Sequence, residues 1–233
     1  MKRLAIMQPY FLPYIGYFQL LAAVDSFVVL DDVNLIKRGW VNRNRLLLNG
    51  FSHTFIVPLR GASQNRLICE MELDNTQNWR QRLLKTIRHA YVKAPYFQNV
   101  FPLIESIVNL RESRLDIFLL NSIHEIVGYL ELKTDIVPSS RKYECAGLKG
   151  QERILDICRQ EQAGSYINPI GGVDLYDRGE FQRQGVELHF LRSRPIGYPQ
   201  GIREHVSGLS IMDVLMFNEL GTIQGYLGEF DLD

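Results

Sequence analysis

Residues 4–17, LAIMQPYFLPYIGY, and residues 27–32, FVVLDD, decide the fold. Leu4 to Met7 is a short apolar run that suits a buried central strand. Gln8-Pro9 breaks it, and Pro13 and Gly16 then punctuate a stretch crowded with Tyr10, Phe11, Tyr14, Tyr17 and Phe18. Proline cannot continue a central ladder, and glycine lets a ligand or another backbone come close. From Tyr17 the apolar residues recur at helix spacing through Phe18, Leu21, Ala22 and Val24, and Phe27 to Leu30 is a second strand-like run. Strand, glycine-containing turn, helix and strand make a βαβ unit, which places ligands beyond the carboxyl ends of its strands. The polar segments that follow those ends are Gln8 to Gly16 and Asp31 to Asn44, so they are the first site candidates.

Working outward, Asn49-Gly50 between two apolar runs predicts a β-hairpin over residues 45–60. A further strand is expected over 67–73. Trp79, Leu83, Ile87 and Ala90 share one helical face, with Asp74 or Asn75 as the expected cap and Ala94-Pro95 as the stop. Helices are expected over 98–110 and 113–130, so residues 75–131 form a helical section. Thr134 to Val137 then reads as a strand, 149–160 as a helix, Tyr166 to Asn168 as a strand end, 174–183 as a helix and 186–191 as a strand. Residues 209–217 are the last convincing helix, and 221–233 carry no clear pattern. The order predicts one α/β domain over 1–233: a mostly parallel, Rossmann-like sheet of βαβ units, with a helical insertion and a hairpin.

Composition frames the function. The 233 residues are 46% hydrophobic and 22% charged, with Lys plus Arg equal to Asp plus Glu at 26 each. Such a balance supplies no field to attract nucleic acid or a membrane surface. The basic residues Arg80 to Lys93 read as a solvated helix face, because no base-stacking aromatics are interleaved with them. The three cysteines form no CxxC pair, which suits a reducing cytosol and argues against a zinc site. Leu4 to Met7 is too short for a signal peptide, and no run approaches the roughly 20 apolar residues of a membrane span. A cytoplasmic protein is expected. No feature assigns an oligomeric state.

QPYFLPYIGYF, FVVLDDV and KRGWVNRNR together resemble the WbqC-like protein family. The resemblance continues through YVKAPYF (91–97), KGQERILDIC (149–158), YINPIGG (166–172) and LSIMDVL (209–215), so it spans essentially the whole chain. It implies a role in bacterial O-antigen or other surface-polysaccharide synthesis, with transfer of glycine onto a sugar as the associated chemistry.

The residues add detail of their own. Tyr14-Ile15-Gly16-Tyr17 occupies the place that the HxGH signature takes in adenylyl-transferring α/β enzymes, where a helix N-terminus is a ready anion site. Here tyrosine replaces both histidines and brings no positive charge near neutral pH. Asp31 and Asp32 at a strand end can bind Mg²⁺, orient an amine or accept its proton, or simply pair with Lys37 or Arg38. Side-chain alternation along the strand predicts that one of the two faces the site. Lys37, Arg38, Trp40, Asn42, Arg43, Asn44 and Arg45 combine four cations for phosphate, two amides for hydroxyls and an indole face for a sugar ring. Lys149 and Arg153 at a helix start, with Asn168, Gly171 and Gly172 at a strand-end turn, are a second possible phosphate cradle. The histidines are scattered without metal spacing, His89 and His124 lie on helices, and Cys158 lies on an apolar face.

The resulting expectation is a transferase moving an aminoacyl or acyl group to a nucleotide-linked amino sugar. Gln8, Tyr14, Gly16 and Tyr17 form its floor, Asp31 or Asp32 handles the amine, and Arg43 leads in stabilising charge as transfer proceeds. Two alternatives stand beside it: nucleotidyl transfer with pyrophosphate release, and a non-catalytic sugar-nucleotide or glycan-binding scaffold.

Overall fold

The chain is an α/β structure organised on a mostly parallel six-stranded sheet. The computed structural model describes residues 1–145 and 147–233. A first βαβ unit comprises β1 (Arg3–Met7), α1 (Ile15–Ala23) and β2 (Ser26–Val29). The insertion carries the hairpin β3 (Arg43–Leu48) and β4 (Phe51–Ile56), the short strands β5 (Leu59–Arg60) and β6 (Glu72–Leu73), and helices α2 (Trp79–Tyr91), α3 (Phe97–Asn109) and α4 (Leu115–Tyr129). The sheet resumes with β7 (Asp135–Val137), α5 (Gly150–Gln160), β8 (Ser165–Pro169), α6 (Arg178–Arg183) and β9 (Glu187–Ser193). Helices α7 (Ile211–Phe217) and α8 (Leu220–Tyr226) and strand β10 (Phe230–Leu232) complete it.

The strands lie in the order β10-β9-β8-β1-β2-β7, all parallel except β10 against β9. Numbered among themselves along the chain, they give the 3-2-1-4-5-6 arrangement of doubly wound nucleotide-binding sheets. The chain reverses direction across the sheet between β1 and β8, and that is where such folds open a crevice.

Strand alternation divides the core. Leu4 and Ile6 of β1 and Val28 of β2 face one layer with Ile154, Ile157 and Cys158 of α5 and Phe181 of α6. Ala5, Phe27 and Val29 face the other, against α1, the insertion helices and α7. Both faces are covered, which is why β1 and β2 read as unbroken apolar runs rather than as alternating ones. The hairpin turn forms as its sequence predicts, with Asn49 at φ 51° and Gly50 at φ 82°.

Four local expectations are corrected. Neither Asp74 nor Asn75 caps α2, which starts only after Asn78, because the Asp74 carboxylate accepts the Thr76 N–H and hydroxyl instead. Residues 68–70 form a 3₁₀ turn rather than a strand, because the Glu70 carboxylate folds back to accept the Leu67 N–H at 3.0 Å. The helix expected over 174–183 is split: 170–175 is a 3₁₀ turn, and α6 starts only after Asp177, whose carboxylate caps it through the Gly179 and Glu180 N–H groups. The tail is structured, since β10 pairs with β9 and Gln19 of α1 donates to the Tyr226 and Glu229 carbonyls.

Glu161, just past α5, ties three segments together. It accepts from Lys2 at 2.5 Å, from Lys142 at 3.0 Å and from the Tyr143 hydroxyl at 2.7 Å. Burial opposes its charge, but these donors outweigh burial and hold its carboxyl down at about 2. A lowered acid contributes stability above its ordinary value of 4.5 and loses it as pH falls through about 2. Glu161→Gln should therefore unfold at lower denaturant near neutral pH, by about 1 kcal/mol once solvent screening of the lysines is counted. That gap should close in acid; a pH-independent gap would contradict the assignment.

Candidate functional site

Two cavities lie side by side at the start of α1. The first, about 220 Å³, is lined by Tyr10, Pro13, Tyr14, Trp40, Asn44, Arg45 and Gly208. The second, about 290 Å³, shares Tyr14 and Gly208 with it and extends to Ser193 and Arg194 at the carboxyl end of β9 and to Tyr198 and His205. Together they form a crevice beyond the carboxyl ends of the sheet, bordered by the first turn of α1.

The turn that leads from β1 into α1 is held by side chains from far along the chain. Asn44 is buried, and its Nδ2 donates to the Phe11 and Leu12 carbonyls at 3.2 and 2.7 Å. The Ser210 hydroxyl donates to the same Leu12 carbonyl at 2.7 Å. The Tyr17 hydroxyl donates to the Gln8 carbonyl at 3.1 Å from a buried position. Leu12 itself sits at φ 44°, a left-handed conformation that is costly for a leucine and persists only where surrounding contacts enforce it. Such strain gathers at functional turns. Gly16 has a packing reason: the Tyr14 ring folds back so closely that a Cβ there would lie 2.3 Å from it. Burial raises the phenol pKa of both Tyr10 and Tyr14, so at neutral pH they act as hydrogen-bond donors with aromatic faces.

Trp40, 40% exposed, is the outer wall. The guanidinium carbons of Arg43 and Arg45 lie 5.1 and 5.2 Å from its ring, within cation–π range. Arg43 donates to the Gly39 carbonyl at 2.9 Å and to the Arg38 carbonyl, so it shapes the Trp40 loop. Asn42 donates to the Val57 carbonyl at 2.7 Å and fastens the start of β3. Lys37 and Arg38 are exposed on the same loop. Arg45 is placed differently: its Nη2 donates to the Gly208 carbonyl at 2.8 Å, while its buried Nε–H has no acceptor among the described residues.

Asp31 and Asp32 build a separate cluster at the ends of β2 and β7. Asp31 is 1% exposed; it accepts from the Ser139 hydroxyl at 2.8 Å and pairs with Arg141 at 2.9 Å. Arg141 also pairs with Asp116 of α4 at 2.9 Å, which fastens the insertion to the sheet. Asp32 accepts from Arg153 at 2.6 Å and from the Ser140 hydroxyl. Burial works to raise the Asp32 carboxyl, but those two donors prevail and leave it lowered. Both carboxylates therefore point into polar surroundings, and their partners are Arg141 and Arg153 rather than Lys37 or Arg38. Facing separate arginines, they do not converge on a common cation. Among the described residues, no group of three or more His, Cys, Asp or Glu is placed to hold a metal ion.

At the end of β8, Asn168 is buried, accepts from the Tyr166 hydroxyl at 3.1 Å and donates to the Pro169 carbonyl at 2.9 Å. Gly172 packs against it so closely that a Cβ would lie 2.1 Å from Asn168 Nδ2, whereas Gly171 has open space. Lys149 is exposed at the N-cap of α5. Arg153 is turned to Asp32, so the cations expected beside the glycine pair do not both serve it.

Of the residues singled out from sequence, the crevice thus brings together Tyr14, Trp40 and Asn44, with Gln8, Gly16, Tyr17 and Arg43 shaping its walls from behind. Tyr10 and Arg45, which fall inside the stretches marked from sequence, also line it, whereas sequence reasoning missed Tyr198 and His205 as wall residues and a buried carboxylate behind them. Asp213 is wholly buried and accepts from the hydroxyls of Tyr91 at 2.9 Å and Tyr198 at 2.8 Å and from Gln200 at 2.6 Å. Its one sequence signal is ambiguous, because Ser210 and Asp213 have the spacing of a helix capping pair. Ser210 does cap α7 through the Met212 N–H, but Asp213 turns inward.

The model of the WbqC-like protein family matches residues 8–224. An uncharacterized protein of Mycobacterium tuberculosis is 32% identical over 191 residues, covering 81% of each chain. No solved structure matches significantly. No helix is long and apolar enough to cross a membrane among the described residues.

Proposed function

The chain belongs to the WbqC-like protein family, and from that premise we propose that it is a cytoplasmic transferase of bacterial surface-polysaccharide synthesis. Its reaction moves an acyl or aminoacyl group onto the amine of a nucleotide-linked amino sugar. The observation that carries this reading is the aromatic crevice with Arg45 in its wall, set beyond the strand ends of a 3-2-1-4-5-6 sheet. Tyr10, Tyr14 and Trp40 offer faces to a base or sugar ring. Arg45 and the N-terminal turn of α1 favour the diphosphate between them. Gln8, Gly16, Tyr17, Asn44 and Arg43 hold these walls in place. Asp31 and Asp32, already paired with arginines, maintain the ends of β2 and β7.

A second reading, nucleotidyl transfer, draws on the same strand order and on the position of Tyr14 to Tyr17 at the first turn of α1. One screen separates the two. Ligands that bind only the folded chain raise its melting midpoint by mass action. Under the leading reading, UDP- or dTDP-amino sugars should raise it and ATP or CTP should not. A shift with ATP or CTP alone, accompanied by pyrophosphate release, would replace the leading reading with the second. The absence of any shift would leave a carrier-bound or polymeric ligand and count against both.

A further inference from the structure

We propose that His205 is the group that accepts the proton from the attacking amine, with Tyr198 and Asp213 as the residues that position it. This deepens the transfer reading above and rests on it. His205 lines the second cavity, next to the wall that Tyr14 and Gly208 share with the aromatic chamber. A ligand with its ring system against Trp40 would therefore carry its sugar toward the imidazole.

The tautomer follows from the partner. His205 Nδ1 lies 3.2 Å from the Tyr198 carbonyl, and a carbonyl can only accept, so Nδ1 carries the hydrogen. In the neutral ring Nε2 then keeps its lone pair, which is the form a proton acceptor needs. The ring is held from a second side as well: it packs edge-on against the Tyr198 ring, with centroids 4.9 Å apart.

The support continues inward. The Tyr198 hydroxyl is anchored on the buried Asp213 carboxylate at 2.8 Å. Gln200, anchored on the same carboxylate, clamps Val206 by accepting its N–H at 2.8 Å and donating to its carbonyl at 3.0 Å. Both neighbours of the histidine, on the ring side and along the chain, are thus fixed by one buried acid. A base whose orientation is set by a third group is the general arrangement of activated nucleophile sites. His205 is itself exposed, and its order comes from this buried backing.

In the proposed step the sugar amine attacks the carbonyl carbon of an acyl thioester. The C–N bond forms, the C–S bond breaks, and the amine proton passes to Nε2. Nε2 then returns that proton to the departing thiolate, so the imidazole ends neutral and nothing is oxidised or reduced.

The test uses the full chain, UDP-glucosamine as acceptor probe, acetyl-coenzyme A as donor probe, and NMR of isotope-labelled histidine. The His205 signals, assigned by their loss in His205→Gln, should show the Nδ1–H tautomer, and Nε2 should move when UDP-glucosamine is added. His205→Gln should lower kcat by about a hundredfold or more while KM for UDP-glucosamine stays within about threefold. Tyr198→Phe, which frees the ring from Asp213, should lower kcat about tenfold with the same unchanged KM, a split that mere destabilisation would not produce. An Nε2–H tautomer, or an Nε2 signal indifferent to saturating UDP-glucosamine, would overturn the assignment. So would transfer by His205→Gln at the wild-type rate, and that result would leave the transferase reading standing. If the wild type transfers nothing, the transferase reading fails for these probes, and the imidazole signals still decide whether His205 presents its lone pair to the ligand.

Discussion

Asp213→Ala should lower the unfolding free energy by about 3–5 kcal/mol, since three buried neutral donors lose their acceptor at about 1–3 kcal/mol each. Asp213 is wholly buried, and its loss leaves the Tyr91 hydroxyl, the Tyr198 hydroxyl and the Gln200 amide without their shared acceptor. The damage spreads because the Tyr91 hydroxyl also accepts the Leu47 N–H at 3.0 Å, linking α2 and α7 to β3. Asp213→Asn keeps the shape and one acceptor but turns an amide N–H toward donors, so it should fall between wild type and alanine. Burial, the largest influence on Asp213, raises its carboxyl, and the three donors only partly offset this. A raised acid contributes its full stabilisation below the unfolded value of 3.8 and loses part of it as pH rises through the native value. The difference between wild type and Asp213→Ala should therefore be greatest in acid and shrink toward neutral pH. Denaturant unfolding of both proteins across that range checks magnitude and sign together. A loss below about 1 kcal/mol would mean that the donors find water instead.

Arg45→Ala should weaken UDP-glucosamine by roughly 30- to 100-fold, about 2–3 kcal/mol for a charge-assisted bond to phosphate together with the stack on Trp40. Arg45→Lys should recover little of this, since an ammonium keeps the charge but neither the planar fork nor the stack. Because Arg45 also donates to the Gly208 carbonyl, part of the effect could come from a loosened wall. Circular dichroism melts of the two variants separate the causes: a midpoint close to wild type with lost affinity assigns the effect to the ligand. Unchanged affinity in Arg45→Ala would remove Arg45 from the phosphate site and with it the central support for the nucleotide-sugar reading.

The candidate site was legible in outline. The segments after β1 and β2 do lie at the carboxyl ends of the sheet, and Tyr14 and Trp40 do line the crevice. Their neighbours within the motif KRGWVNRNR were harder to sort. Asn42, Arg43 and Asn44 look as suitable for a ligand as Arg45 does, and all four bond to a backbone carbonyl of their own protein, but of the four only Arg45 keeps a buried N–H without an acceptor among the described residues. Residue type states what a side chain can bond to, whereas the available partner depends on which loops arrive beside it. His205 was passed over for the same reason, since an isolated histidine in a polar stretch has no local pattern to mark it.

Local order was set by the sequence itself. The apolar runs of β1 and β2, the Asn-Gly hairpin and the apolar face of α2 depend on neighbours within a few residues, and each formed as expected. Pairings across the chain belong to the tertiary structure. Asp31 meets Ser139 across 108 positions, Asp32 meets Arg153 across 121, and Tyr91 meets Asp213 across 122. Strand β10 is of the same kind: its residues are largely exposed, and its ladder exists because β9 is beside it. The physical reason is common to all of them. Periodicity and turn chemistry act through short stretches of backbone, while a buried charge or an edge strand is satisfied only by groups that chain topology brings to it.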